Sequence, residues 1–184
     1  MRIGAILPHL RVFGGVRRYI ELGNAFVGRG HEFSIYTPDG AAPSWLPFRG
    51  NARSFDALAQ CDHDILLCGS PELADRLEAA RASLRVFYIQ IEDVAGEREI
   101  VRSGKFRIMV VSSALARRVR RRYGVEPLDG IGGVNPDLFH PVARGPERPP
   151  GSPTSRAACC CRSRTGARLW PWRRTVINTC FGDS

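Results

Sequence analysis

The sequence predicts an α/β fold: an open, mostly parallel β-sheet with helices on both faces. Two observations predict it. Short apolar runs recur along the first 111 residues: Ile3-Gly4-Ala5-Ile6-Leu7, Phe33-Ser34-Ile35-Tyr36-Thr37, Asp64-Ile65-Leu66-Leu67-Cys68-Gly69, Arg85-Val86-Phe87-Tyr88-Ile89-Gln90-Ile91 and Phe106-Arg107-Ile108-Met109-Val110-Val111. Such runs, apolar on both faces, are the signature of buried parallel strands. Between them lie stretches with helical apolar spacing, so strands and helices alternate as in βαβ units.

The first unit is the clearest. Val16, Tyr19, Ile20, Gly23, Phe26 and Val27 fall on one helical face, with Arg17, Arg18, Glu21 and Asn24 off it. Gly23 lies within the apolar stripe, where a missing side chain lets the helix approach a sheet closely. Gly30 stands where a left-handed helix ending is wanted. Gly14 and Gly15 precede the helix and leave its first N–H groups uncovered, which suits an anion such as a diphosphate. A glycine pair in a βα turn can equally serve backbone geometry alone. The dinucleotide pattern G-x-G-x-x-G is absent, which argues against a nicotinamide or flavin enzyme.

Further along, Pro38-Asp39-Gly40 and the segment from Pro43 to Pro47 predict a loop, with Trp45, Leu46 and Phe48 tucked against the domain. An extended piece at Arg53-Ser54-Phe55 leads through Ala57-Leu58-Ala59-Gln60 to the next strand. Asp62-His63-Asp64 has metal-ligand residue types, but with no further ligand nearby it reads as the polar lead-in to that strand, and no metal is expected. His31, after the cap glycine, is expected to be structural. Ser70-Pro71-Glu72 opens a helix, with Leu73, Leu77 and Ala80 on its apolar face. Gln90, Glu92 and Asp93 follow the next strand, and in open α/β sheets ligands collect beyond the C-terminal strand ends. Adjacent carboxylates are also commonly just solvated loop residues.

Ser112-Ser113 caps a helix with Leu115, Val119 and Tyr123 on one side and Arg117, Arg118, Arg120, Arg121 and Arg122 over the opposite arc. Three readings stay open for this face. It is a solvated basic surface, a contact for anionic lipid or a lipid-linked acceptor, or a nucleic-acid surface. The last has no aromatic stacking platform or recognised motif beside it and is disfavoured.

The bulk composition adds bounds. In 184 residues the net charge is +9, but residues 1–143 hold 19 basic and 16 acidic side chains, while residues 144–184 hold 8 arginines against Glu147 and Asp183. The basic excess therefore belongs mainly to the C-terminal segment. Cys61 and Cys68 lie in the body, and Cys159, Cys160, Cys161 and Cys180 beyond it; none forms a C-x-x-C pair, which points to a reduced, cytoplasmic protein. The first residues lack the apolar core of a signal peptide, and no run reaches membrane-spanning length.

The opening run, with Gly14-Gly15-Val16 and Arg29-Gly30-His31-Glu32-Phe33, resembles the start of glycosyltransferase family 4, the retaining transferases of the GT-B fold. Gly132-Gly133-Val134-Asn135-Pro136-Asp137-Leu138-Phe139-His140-Pro141 is similar to the G-V-x-x-x-x-F-x-P segment where that family's chain leaves its N-terminal domain. Both motifs stand in register, about 120 residues apart. The resemblance covers roughly residues 1–142 and implies a Rossmann-like N-terminal, acceptor-side domain. Residues 143–184 would be a linker and a basic, Cys-rich, disordered tail.

What the resemblance implies is transfer of a sugar from a nucleotide sugar to the hydroxyl of a glycan or lipid-linked acceptor, without metal or cofactor, at a bacterial-type enzyme in the cytoplasm or at the inner face of the membrane. Gly14, Gly15 and Val16 would border the donor diphosphate. Gln90, Glu92 and Asp93 stand where many members place a histidine, closer to the Q-x-x-E variant of some bacterial members, and would contact acceptor or sugar hydroxyls. Catalytic residues are not assigned. The donor domain of the family carries an E-x₇-E pair, and no such pair follows residue 143. A second domain needs roughly 100 residues or more, and 41 remain. The expectation is therefore an acceptor-side half, inactive alone, with its reading frame shifted or truncated near residues 144–158. The alternative from another class is a non-catalytic basic module that holds an anionic membrane surface.

Overall fold

The computed structural model describes residues 1–130 and 132. The second motif from residue 133 onward, the linker and the tail lie outside the described residues. Seven strands alternate with five helices: β1 (Arg2–Ile6), α1 (Gly14–Val27), β2 (Glu32–Thr37), β3 (Asn51–Ser54), α2 (Phe55–Leu58), β4 (His63–Cys68), α3 (Ala74–Ala79), β5 (Ala82–Ile89), α4 (Glu97–Ser103), β6 (Arg107–Val110), α5 (Ser113–Tyr123) and β7 (Leu128–Asp129). The strands form one sheet in the order β3-β2-β1-β4-β5-β6-β7. Every pairing is parallel. This is a Rossmann-like open sheet, whose strand order reverses between β1 and β4.

The period-2 alternation of a strand divides the core in two. Ile3, Ala5, Ile65, Leu67, Val86, Tyr88 and Met109 face one cluster, where α1 supplies Val16, Tyr19, Ile20 and Leu22. Ile6, Leu66, Cys68, Phe87, Ile89, Ile108 and Val110 face the other, covered by Leu58 of α2, Leu77 of α3, Ile100 and Val101 of α4, and Leu115 and Val119 of α5. Both sheet faces are therefore buried, which is why the strands read as apolar runs instead of alternating ones.

The expected face of α1 is buried at Val16, Tyr19, Ile20 and Gly23, with Phe26 and Val27 half-buried against the core; Leu22 joins it. A side chain at Gly23 would place its Cβ 2.6 Å from Phe33 Cδ1 and 2.9 Å from Phe48 Cε2, so the glycine sets how closely α1 lies on β2. Gly30 has φ of 82°. Its N–H donates to the Val27 carbonyl and the His31 N–H donates to that of Phe26, the paired bonds of a Schellman ending. The loop after β2 packs as expected: Trp45 Nε1 donates to the Leu10 carbonyl at 2.7 Å, and the rings of Phe48 and Phe33 meet edge to face.

The polar lead-in to β4 is structural. His63 is 5 % exposed and its Nε2 lies 2.9 Å from the Tyr36 hydroxyl. Asp62 pairs with Arg81 and Asp64 accepts from the Arg2 N–H. Among the described residues no group of His, Cys, Asp or Glu is arranged to hold a metal ion. The helix expected after Ser70 begins as a 3₁₀ turn at Pro71–Leu73 and becomes α-helical only at Ala74; the serine side chain does not cap it. Ser112, by contrast, accepts from the Leu115 N–H at 3.2 Å as an N-cap.

Two predictions follow from this packing. Gly23→Val should destabilise the fold by about 1–3 kcal/mol, because Phe33 and Phe48 must move; urea unfolding measures it, and an unchanged midpoint would show that α1 is not seated on the sheet through this glycine. Burial pushes the Cys68 thiol from 9.0 up to about 12. Its pKa is raised on folding, so this contribution to stability is complete below pH 9 and declines as the pH rises from 9 towards 12. Burial raises Tyr19 and Tyr88 as well, with the same sign. Denaturation midpoints should therefore fall above pH 9, and Cys68 should resist alkylation in the native chain at pH 8.

Candidate functional site

Where the strand order reverses, the loops leaving β1 and β4 part, and a crevice of about 260 Å³ opens at the C-terminal edge of the sheet. Its walls come from four segments: Leu7, Pro8 and His9 after β1; Gly15 and Val16 in the first turn of α1; Gly69 and Ser70 after β4; and Ile89, Gln90 and Ile91 at the end of β5. Glu97, the first residue of α4, completes it.

Gly15, Val16 and Gln90 are brought together here, while Gly14 does not line the crevice. A Cβ on Gly15 would lie 2.3 Å from Gln90 Oε1, so only glycine leaves the amide where it is. A Cβ on Gly14 would meet nothing within 4 Å, so Gly14 faces open space. Phe13 precedes the helix in extended conformation and provides no side-chain cap. The first N–H groups of α1 are thus left for a ligand or water at the positive end of the helix dipole. Gln90 Nε2 is buried and has no hydrogen-bond partner.

Glu92 and Asp93 do not share that position. Both are exposed in the loop after β5, and neither lines the crevice. Asp93 adopts φ of 54° and points at α5, where it accepts from Arg122 and Arg118 at 2.5 Å. Those two guanidiniums, Arg122 first, hold its carboxyl below the usual value. Two acids line the crevice, Glu72, which is exposed, and Glu97, which is 3 % exposed. Its Oε1 accepts from Arg118 Nη1 at 2.6 Å and from the Tyr123 hydroxyl at 2.8 Å. Its Oε2 is buried without a partner. Leaving a buried carboxylate without its cation costs about 3–5 kcal/mol, so Arg118 is an integral part of this wall.

Glu97 carried a signal in the sequence. It precedes Ile100 and Val101 by three and four residues, which sets an acid on the apolar face of a short helix, directly after a glycine in the left-handed region. The helix is only seven residues long, so its periodicity is weak.

The five arginines of α5 are not one free surface. Arg118 and Arg122 engage Asp93, Arg118 also engages Glu97, and Arg120 is paired with Glu126. Arg117 and Arg121 are exposed and have no acidic partner among the described residues. No described helix is long and apolar enough to cross a membrane.

Neither models of known protein families nor curated proteins return a match to this chain.

Proposed function

We propose that residues 1–142 belong to the acceptor-side half of a retaining GT-B glycosyltransferase of family 4. The supporting observation is the crevice at the β1/β4 reversal, where the glycine-led start of α1 stands against Gln90. In sugar transfer from a nucleotide sugar, the glycosidic bond to phosphate breaks and negative charge grows on the departing diphosphate. The start of α1, which no side chain caps, offers that charge the positive end of a helix. Among the described residues that line the crevice there is no Lys or Arg. On this reading the chain needs no metal or cofactor, works in the cytoplasm or at the inner membrane face, and takes a nucleotide sugar and a glycan or lipid-linked acceptor as its partners.

The test is a titration of the ¹⁵N-labelled chain with inorganic pyrophosphate, followed by UDP-glucose and GDP-mannose. Shifts at the Gly14, Gly15 and Val16 amides are expected. Gly15→Val should remove them while reducing stability far less, because the new side chain covers the N–H groups and displaces only the Gln90 amide. Amides that stay silent in the parent chain, or shifts that persist in the variant, would take the glycine loop out of the site.

The competing reading is a basic module held on an anionic membrane surface. It rests on Arg117 and Arg121, since the other three arginines of α5 neutralise nearby carboxylates. Flotation with vesicles of one-third phosphatidylserine should show weak binding. Strong binding abolished by salt and by joint Arg117→Gln and Arg121→Gln substitution would favour the membrane module instead.

A further inference from the structure

Of the large apolar side chains exposed among the described residues, Phe13 and Ile91 both line the crevice, and each is 58 % exposed. They belong to different walls: Phe13 ends the loop after β1, and Ile91 follows β5, with β4 between those strands. Phe13 Cε1 and Gln90 Oε1 both reach Gly15, lying 3.4 and 2.3 Å from where a Cβ would stand. The Phe13 ring is therefore close to the residue that precedes Ile91. Ile91 begins a strap that ends at Gly96, and Val94 within it also lines the crevice. Two residues of the strap have positive φ, Asp93 at 54° and Gly96 at 84°. Its side-chain tie to α5 is one carboxylate: Asp93 Oδ1 accepts from Arg118 Nη2 and Arg122 Nη1. The Asp93 side chain is 66 % exposed, so the tie is open to solvent and salt. The Glu97 carboxyl behind it is buried and held separately, by Arg118 Nη1 and the Tyr123 hydroxyl. An exposed charge contact thus holds a strap whose apolar side chain is uncovered, on a base that has its own ties.

We propose that residues 91–96 form a lid over the crevice, held open by the latch of Asp93 on Arg118 and Arg122. In the latched state Ile91 stays in solvent at the rim. When the latch is released, the strap swings about its two positive-φ residues and Ile91 meets the Phe13 ring, which removes apolar surface of both from water. The backbone favours release as well, because a residue other than glycine at positive φ carries a cost that the two guanidiniums offset. Salt, or an anion that competes for the two arginines, releases the lid. The buried pair of Glu97 and Arg118 is screened far less and keeps α4 on α5. Access to the crevice is thereby set by charge at α5, whichever ligand enters, and the lid does not rest on the sugar-transfer reading.

The full chain is labelled at its Ile δ1 methyl groups and Phe rings, and the nuclear Overhauser effect between Ile91 and Phe13 is measured at low salt. Asp93→Gly removes the latch at a position whose positive φ glycine adopts freely. Arg122→Gln weakens it from the other side and leaves Arg118 on Glu97. In both variants the contact should strengthen by about threefold or more over the parent. Salt at about 0.5 M should strengthen it in the parent and add little in Asp93→Gly. Glu92→Gln, which removes an acid from the same strap but no part of the tie, should leave the contact at the parent level. The lid is overturned if the parent at low salt shows the contact as strongly as the variants do. It is overturned equally if neither variant gains the contact, or if Glu92→Gln gains it to the same degree. The salt series needs no substitution, so a variant that fails to fold leaves the parent to decide: a contact unchanged by salt sinks the proposal.

Discussion

The structure depends on one constraint: a parallel sheet buried on both faces has its polar chemistry confined to its ends. Neighbouring strands run in the same direction from β3 to β7, so each needs a crossover, and the crossovers cover the faces. Inside, polarity is paired at Tyr36 and His63, while the Tyr19 hydroxyl is buried without a partner. At the C-terminal edge the loops can diverge, and they do so where the order reverses between β1 and β4. The crevice is a consequence of strand order before it is a consequence of any side chain.

Charge is arranged around that edge in two different ways. On α5, arginines are used to hold acids in place: Arg118 fixes Glu97 and, with Arg122, ties down the Asp93 loop. These are ties between α4, its preceding loop and α5, and they make the run of arginines a structural feature for most of its length. On α1, no acidic side chain stands in the first turn and no side chain caps the helix start. The first arrangement makes a rigid wall; the second leaves an electropositive opening of fractional charge.

Much of the fold was legible because burial on both faces writes itself into composition. The strands at β1, β2, β4, β5 and β6 were marked by continuous apolar runs, and the face of α1 by spacing that Gly23 and Gly30 punctuate. β7 was not legible, because two residues at a sheet edge carry no period. Nor was α4, whose seven residues make too few turns to display one. The site was half legible for the same reason. Gly14, Gly15 and Gln90 sit next to strongly patterned elements, so their position at the strand ends could be derived. Glu92 and Asp93 were placed with Gln90 as residues beyond the end of β5 and by the family resemblance; the backbone turns at Asp93 and delivers its carboxylate to α5. Glu97, a few residues further on, lines the crevice.

The crevice has two ends of different chemistry. At the α1 end, the start of the helix carries no side-chain cap, and the helix dipole favours a group with negative charge there. At the α4 end stands the Glu97 carboxyl, buried and held by Arg118 and Tyr123. Gln90 lies against the first of these, its carbonyl facing Gly15. A side chain at position 15 would displace that amide, so one backbone position links the start of α1 to the end of β5.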